Sequence, residues 1–110
     1  MQTFNLTLED MPHRDKKLSN IVRVENFKSS KSGQAIANQF RITLQNGIEV
    51  FQSYNSIICV KANNEIYLDY DRWNYSRTTA RYRNIFLNET TVETVKKIGL
   101  GQYACVHLNK

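Results

Sequence analysis

Alternating apolar and polar positions dominate the first two thirds of the chain. Across residues 3–8, Phe4, Leu6 and Leu8 point one way and Thr3, Asn5 and Thr7 the other, which predicts a half-buried strand. Residues 9–20 are polar around Pro12 and read as a loop, its His13, Arg14, Lys16 and Lys17 offset by Glu9, Asp10 and Asp15. Residues 21–27 predict a second strand, and the Ser/Lys/Gly run 28–34 turns the chain. A long strand follows over 35–44, with Ile36, Phe40, Ile42 and Leu44 expected on one face.

Asn46-Gly47 is the strongest hairpin signal in the chain. A two-residue loop would oppose Leu44 to Glu49 and Ile42 to Phe51. A three-residue loop with Gly47 left-handed in a bulge opposes Leu44 to Ile48 and Ile42 to Val50. The second register gathers aliphatic side chains on one face, which a one-residue slip would undo, so the bulged hairpin is expected. Residues 57–62 and 65–69 supply two more strands around Asn63-Asn64, a turn that suits asparagine's tolerance of positive φ. Together these segments make an antiparallel meander of about six strands.

The period then changes to that of a helix. Thr79, Tyr82 and Phe86 project on one side with Ile85 flanking, while Arg77, Arg81, Asn84 and Asn88 project on the other. Ser76 is the expected N-cap. Thr90-x-x-Glu93 has capping-box spacing and opens a second helix, with Val92, Val95 and Ile98 expected inward. Lys96 and Lys97 fall where the helix dipole favours cations, and Gly99 or Gly101 ends the helix. Residues 103–108 predict a last strand. The expected fold is α+β: an antiparallel sheet, a two-helix insertion and a final strand.

At 110 residues the chain is expected to form one domain. One proline and four glycines leave no flexible linker, and no repeat is visible. The N-terminal residues lack the basic and apolar regions of a signal peptide, and the longest apolar run, Ile57 to Val60, is far too short to span a membrane. A cytosolic protein is expected, with Cys59 and Cys105 reduced and acting as small hydrophobes. The net charge of +5 and a pI near 9.4 favour anionic partners: nucleic acid, an acidic protein surface or, less readily, a membrane.

Residues 69–87 concentrate the chemistry. They hold the single tryptophan and four of the fifteen Lys/Arg residues, with Arg72, Arg77, Arg81 and Arg83 interleaved among Trp73, Tyr75 and Tyr82. Arginine forks pair with phosphates and aromatic faces stack on unpaired bases, and Lys96 and Lys97 could extend such a surface. The alternative is that the aromatics are core and the arginines pair with Asp69, Asp71 and Glu89. A helix-turn-helix is poorly served by the second helix, which offers a groove only Thr91, Thr94, Lys96 and Lys97. No zinc-ligand spacing occurs. His107 near Cys105 lacks an orienting third group, and Asp69 with Asp71 beside Arg72 fits a turn or an ion pair better than acid–base work. Neither cofactor nor metal is expected.

Two stretches, Phe51-Gln52-Ser53-Tyr54-Asn55-Ser56 and Arg72 through Leu87 (RWNYSRTTARYRNIFL), resemble small uncharacterised proteins encoded by bacteriophages of Gram-positive bacteria, the likeness running from about Val24 to Leu108. The resemblance brings no functional residue with it. It implies a protein that acts by binding, either to host-defence machinery such as a CRISPR effector or to nucleic acid. The leading expectation is therefore a non-enzymatic, anti-CRISPR-like inhibitor of a host ribonucleoprotein or other defence complex. Its contact surface would be Arg72, Trp73, Tyr75, Arg77, Arg81 and Arg83, with Lys96 and Lys97. A direct DNA- or RNA-binding module using the same residues is the alternative, and a small enzyme using His107 or the Asp69/Asp71 pair comes third.

Overall fold

The computed structural model describes residues 21–109, and the strand and loop expected over residues 3–20 lie outside that range. Five strands run in sequence and pair antiparallel: β1 (Ile21–Lys28), β2 (Ala35–Leu44), β3 (Glu49–Ser53), β4 (Ser56–Ala62) and β5 (Glu65–Asp69). Helices α1 (Arg77–Leu87) and α2 (Thr91–Gly99) follow, and β6 (Tyr103–Val106) then joins β5 in parallel. The fold is α+β with a mixed, mostly antiparallel sheet. The parallel pairing departs from an all-antiparallel expectation and follows from the connection. Two helices packed on one sheet face return the chain to the end of the sheet from which β5 began.

The local signals act as read. Ile42 pairs with Val50, Leu44 N–H donates to the Ile48 carbonyl at 2.9 Å, and Gly47 takes φ 86°. Asn63 and Asn64 both adopt positive φ in the two-residue turn between β4 and β5. Ser76 accepts from the Thr79 N–H and caps α1, and Thr90 with Glu93 forms a reciprocal capping box on α2.

In-register rows divide the core between two faces. Phe51, Cys59, Leu68 and Cys105 lie opposite one another on the helix-covered face, whose buried cluster includes Phe27, Ile58, Tyr82 and Phe86. A bulge in β4 turns the adjacent Ile58 and Cys59 both toward this side. Phe27 meets Phe51 edge-on at 5.3 Å, and Arg41 and Lys61 cover the Phe86 ring at 5.1 and 4.4 Å. Val50, Val60 and Tyr67 form the opposing row with Leu44, Ile48, Ala62, Val106 and Leu108. Burial drives the Cys59 thiol well above its usual range, so it stays protonated and inert.

Three expectations about which side faces inward are overturned. Ile36 joins the helix-covered cluster, whereas Ile42 packs on the opposite face, because β2 bulges around the left-handed Asn38 (φ 66°). The pairing with β1 steps from Asn26↔Phe40 to Lys28↔Ala35, and the Asn26 amide donates to the Ile36 carbonyl across the gap. On α1, Ile85 is 49% exposed and Arg83 takes the buried flank. On α2, Val92 and Val95 face solvent while Thr94 is fully buried and Ile98 half-buried. The inner side of α2 is polar because it must satisfy Arg83 and Glu89.

Candidate functional site

Between α1 and the bulged segment of β2 lies an open cleft of about 220 Å³ lined by Ile36, Arg77, Thr78, Arg81 and Tyr82. Arg77 and Arg81 stand one helical turn apart on its rim. Both are exposed, and neither makes a hydrogen bond or ion pair among the described residues. The first turn of α1 carries no acid, and Arg77 occupies its first position, where the partial positive charge of the helix end disfavours a cation. The helix tolerates an unfavourable charge there in return for no visible contact. Ile36 and the buried Tyr82 give the cleft an apolar wall.

Exposed tyrosines surround this end of the sheet. Tyr54 is 54% exposed in the β3–β4 turn and left-handed at φ 56°, an unusual conformation for a bulky residue. Its N–H donates to the Asn38 carbonyl at 2.7 Å, which ties the turn to the β2 bulge beside the cleft. Arg72 lies over the exposed Tyr75 ring at 5.6 Å and donates to Ser56 Oγ at 3.1 Å, so it is partly engaged but open to solvent.

Arg83 is removed from the expected contact surface, since its side chain is fully buried. Nη1 donates to the Trp73 carbonyl at 2.6 Å and to Asn74 Oδ1 at 3.0 Å, and Nη2 to Asn84 Oδ1 at 2.9 Å and Thr91 Oγ1 at 2.7 Å. The guanidinium also covers the Trp73 ring at 4.9 Å, so Trp73 is half-buried within the protein. Burial lowers the arginine's affinity for its proton without neutralising it. Lys97 is engaged as well, donating to Glu89 Oε1 at 2.8 Å. Lys96 stays exposed on α2.

Glu89, its side chain 3% exposed, also accepts from Thr94 Oγ1 at 2.6 Å and the Tyr103 hydroxyl at 2.7 Å. Burial by itself would raise its carboxyl; the hydrogen bonds from Lys97, Thr94 and Tyr103 outweigh it and hold the group below the usual glutamate value. A carboxyl depressed in the folded state adds stability above its unfolded pKa and loses it as pH falls through the folded one. Melting temperature should therefore drop on acidification below about pH 4. Glu89→Gln should lower it by several degrees at neutral pH and flatten that acid limb, which a melting series across pH checks.

Residues considered for catalysis have structural partners. Asp69 is buried and accepts the backbone N–H groups of Asp71, Arg72 and Leu108, which shapes the turn after β5. Asp71 Oδ2 is 3.7 Å from His107 Nδ1, with the Tyr70 ring 5.3 Å from the imidazole. Among the described residues, no three His, Cys, Asp or Glu side chains gather as metal ligands.

Ile36, Gln39, Tyr54 and Thr78 belong to this end of the molecule and escape a strict reading of periodicity. Of these, Thr78 lies in the stretch 69–87 and Tyr54 in the other stretch of the family resemblance, neither with a role of its own; Ile36 reads only as a strand residue, and Gln39 carries no signal. The fold and the cleft define a small α+β protein with an arginine-rimmed groove between its first helix and the bulged segment of β2. Residues 22–102 match DUF8033, a family of unknown function, and the chain belongs to that family. No curated protein and no solved structure matches. No helix among the described residues is long and apolar enough to cross a membrane.

Proposed function

We propose that this is a non-enzymatic nucleic-acid-binding protein that engages phosphates through the outer face of α1. The observation that carries the reading is the pair Arg77 and Arg81, exposed, one turn apart and without a partner among the described residues. Free guanidinium forks at this spacing suit successive phosphate oxygens, and Arg72, Tyr75 and Tyr54 add charge and stacking faces alongside. The net charge of +5 supplies the long-range attraction.

A second reading, an inhibitor that docks on a host nucleic-acid-handling complex, draws support from Val92, Val95 and Leu100, exposed at 77, 53 and 65% around Lys96. It ranks behind because Trp73, the expected aromatic anchor, lies beneath Arg83.

A gel-shift titration against short DNA and RNA at two salt concentrations tests the first reading. Several phosphate contacts should weaken binding by orders of magnitude between about 50 and about 200 mM salt. Absence of any shift at the lower salt would overturn it and favour the inhibitor reading, whose partner a pull-down would then seek.

A further inference from the structure

Exposed large hydrophobic side chains sort by type along the sheet. Tyr54, Tyr70 and Tyr75 all stand at the end where β3, β5 and β6 finish and α1 begins. The exposed aliphatics lie elsewhere: Val22 and Val24 on β1, Ile85 late in α1, and Val92, Val95 and Leu100 on or just after α2. Charge sorts in the same way. Lys28, Lys31, Arg72, Arg77 and Arg81 are exposed at the tyrosine end. Glu49 and Glu65 open their strands at the opposite end, and Glu89 and Glu93 follow the far end of α1. The basic end has Asp69 and Asp71, but Asp69 is taken up by three backbone N–H groups and Asp71 faces His107.

The three tyrosines are held in place. Tyr54 is fixed through its N–H to the Asn38 carbonyl, in a left-handed conformation that a bulky residue adopts only at a cost. Tyr75 lies under Arg72, whose hydrogen bond to Ser56 ties this loop to the Tyr54 turn. Tyr70 rests beside His107, and its N–H donates to the Val106 carbonyl at 2.7 Å.

We infer that this end of the sheet binds an extended single strand of DNA or RNA without regard to sequence. This rests on the nucleic-acid reading above and specifies it. Phosphates meet Arg72, Arg77 and Arg81, and unpaired bases stack on Tyr54, Tyr70 and Tyr75. Every base has a π-face, so such a platform accepts any sequence. A duplex hides its base faces in its own stack and can offer this surface only phosphates. The cores of protein interfaces are poor in charge, so cations among the rings, with the aliphatics elsewhere, favour a polyanion over a protein.

The test is fluorescence anisotropy with labelled oligo-dT, oligo-rU and a mixed-sequence duplex, using the full chain and its Tyr54→Asn, Tyr54→Phe and Tyr70→Ala variants. At least one of the single strands should bind about tenfold or more tightly than the duplex, roughly the worth of one base stack. Tyr54→Asn and Tyr70→Ala should each weaken single-strand binding by about tenfold and leave duplex binding unchanged. Tyr54→Phe keeps the ring and should bind like the parent. Asparagine suits a left-handed backbone, so Tyr54→Asn should melt level with the parent or higher, and its lost binding then reports the missing ring. Duplex binding equal to that of the single strands would overturn this inference and leave the phosphate-binding face of α1 standing. Single-strand binding unchanged in both Tyr54→Asn and Tyr70→Ala would overturn the stacking platform. No binding by strands or duplex would remove both this inference and the function it rests on, and would point to a protein partner.

Discussion

Arg83→Ala should be the most damaging single substitution in the described part of the chain, lowering stability by about 3–5 kcal/mol. In a domain of this size that is a fall in melting temperature of ~15 °C or more. Its guanidinium joins three segments at one point: the 73–74 turn, α1 through Asn84, and α2 through Thr91. Truncation leaves the Trp73 carbonyl without its 2.6 Å donor, uncovers the indole and opens a cavity beneath both helices. Arg83→Lys keeps the charge but has one ammonium in place of two nitrogens reaching in different directions, so most of the loss should remain. Thermal melts of both variants check this. A drop of only a degree or two in Arg83→Ala would mean that the side chain does not hold the helices together.

Arg77→Glu combined with Arg81→Glu should do the reverse, abolishing binding while sparing the fold. Two charge-assisted phosphate contacts replaced by repulsion should cost about 100-fold or more in affinity. Neither side chain has a partner to lose among the described residues, and the acid introduced at the first helical position would sit in a turn that lacks acids and favours them. Melting temperature should stay level or rise slightly, since exposed sites of this kind change stability by about 0.5 kcal/mol at most. Arg23→Glu on β1, a reversal of the same sign whose partner among the described residues is the exposed Glu25, separates loss of the site from loss of net charge. Binding that survives the double reversal, or falls equally in Arg23→Glu, would refute the α1 surface.

The contrast between these arginines marks where the sequence is readable. Hairpin register at Leu44–Ile48 and the caps at Ser76 and Thr90 were legible because each is settled by residues within a few positions. The α1 stripe of Arg77 and Arg81 was legible because helical projection needs only the backbone period. Arg83 was not, since its burial depends on Trp73, Asn74 and Thr91 meeting it, and no periodicity encodes a buried cation. The outward turn of Val92 and Val95 follows from the same cause. Once Arg83 and Glu89 are buried, the inner face of α2 must offer Thr91, Thr94 and Lys97. The cleft was hidden by the Asn38 bulge, which breaks the alternation that any strand reading assumes.

Strands β1 to β5 pair with their immediate successors, so that part of the sheet can assemble while the nascent chain is still leaving the ribosome. The parallel seat of β6 cannot be filled in the same way. β5 waits with an open hydrogen-bonding edge through the whole of residues 70–102, until Tyr103–Val106 emerges to close it. For that interval the edge is a template for other chains. Slowing translation across α1 and α2 should therefore lower the soluble yield of this protein more than slowing it anywhere in the meander.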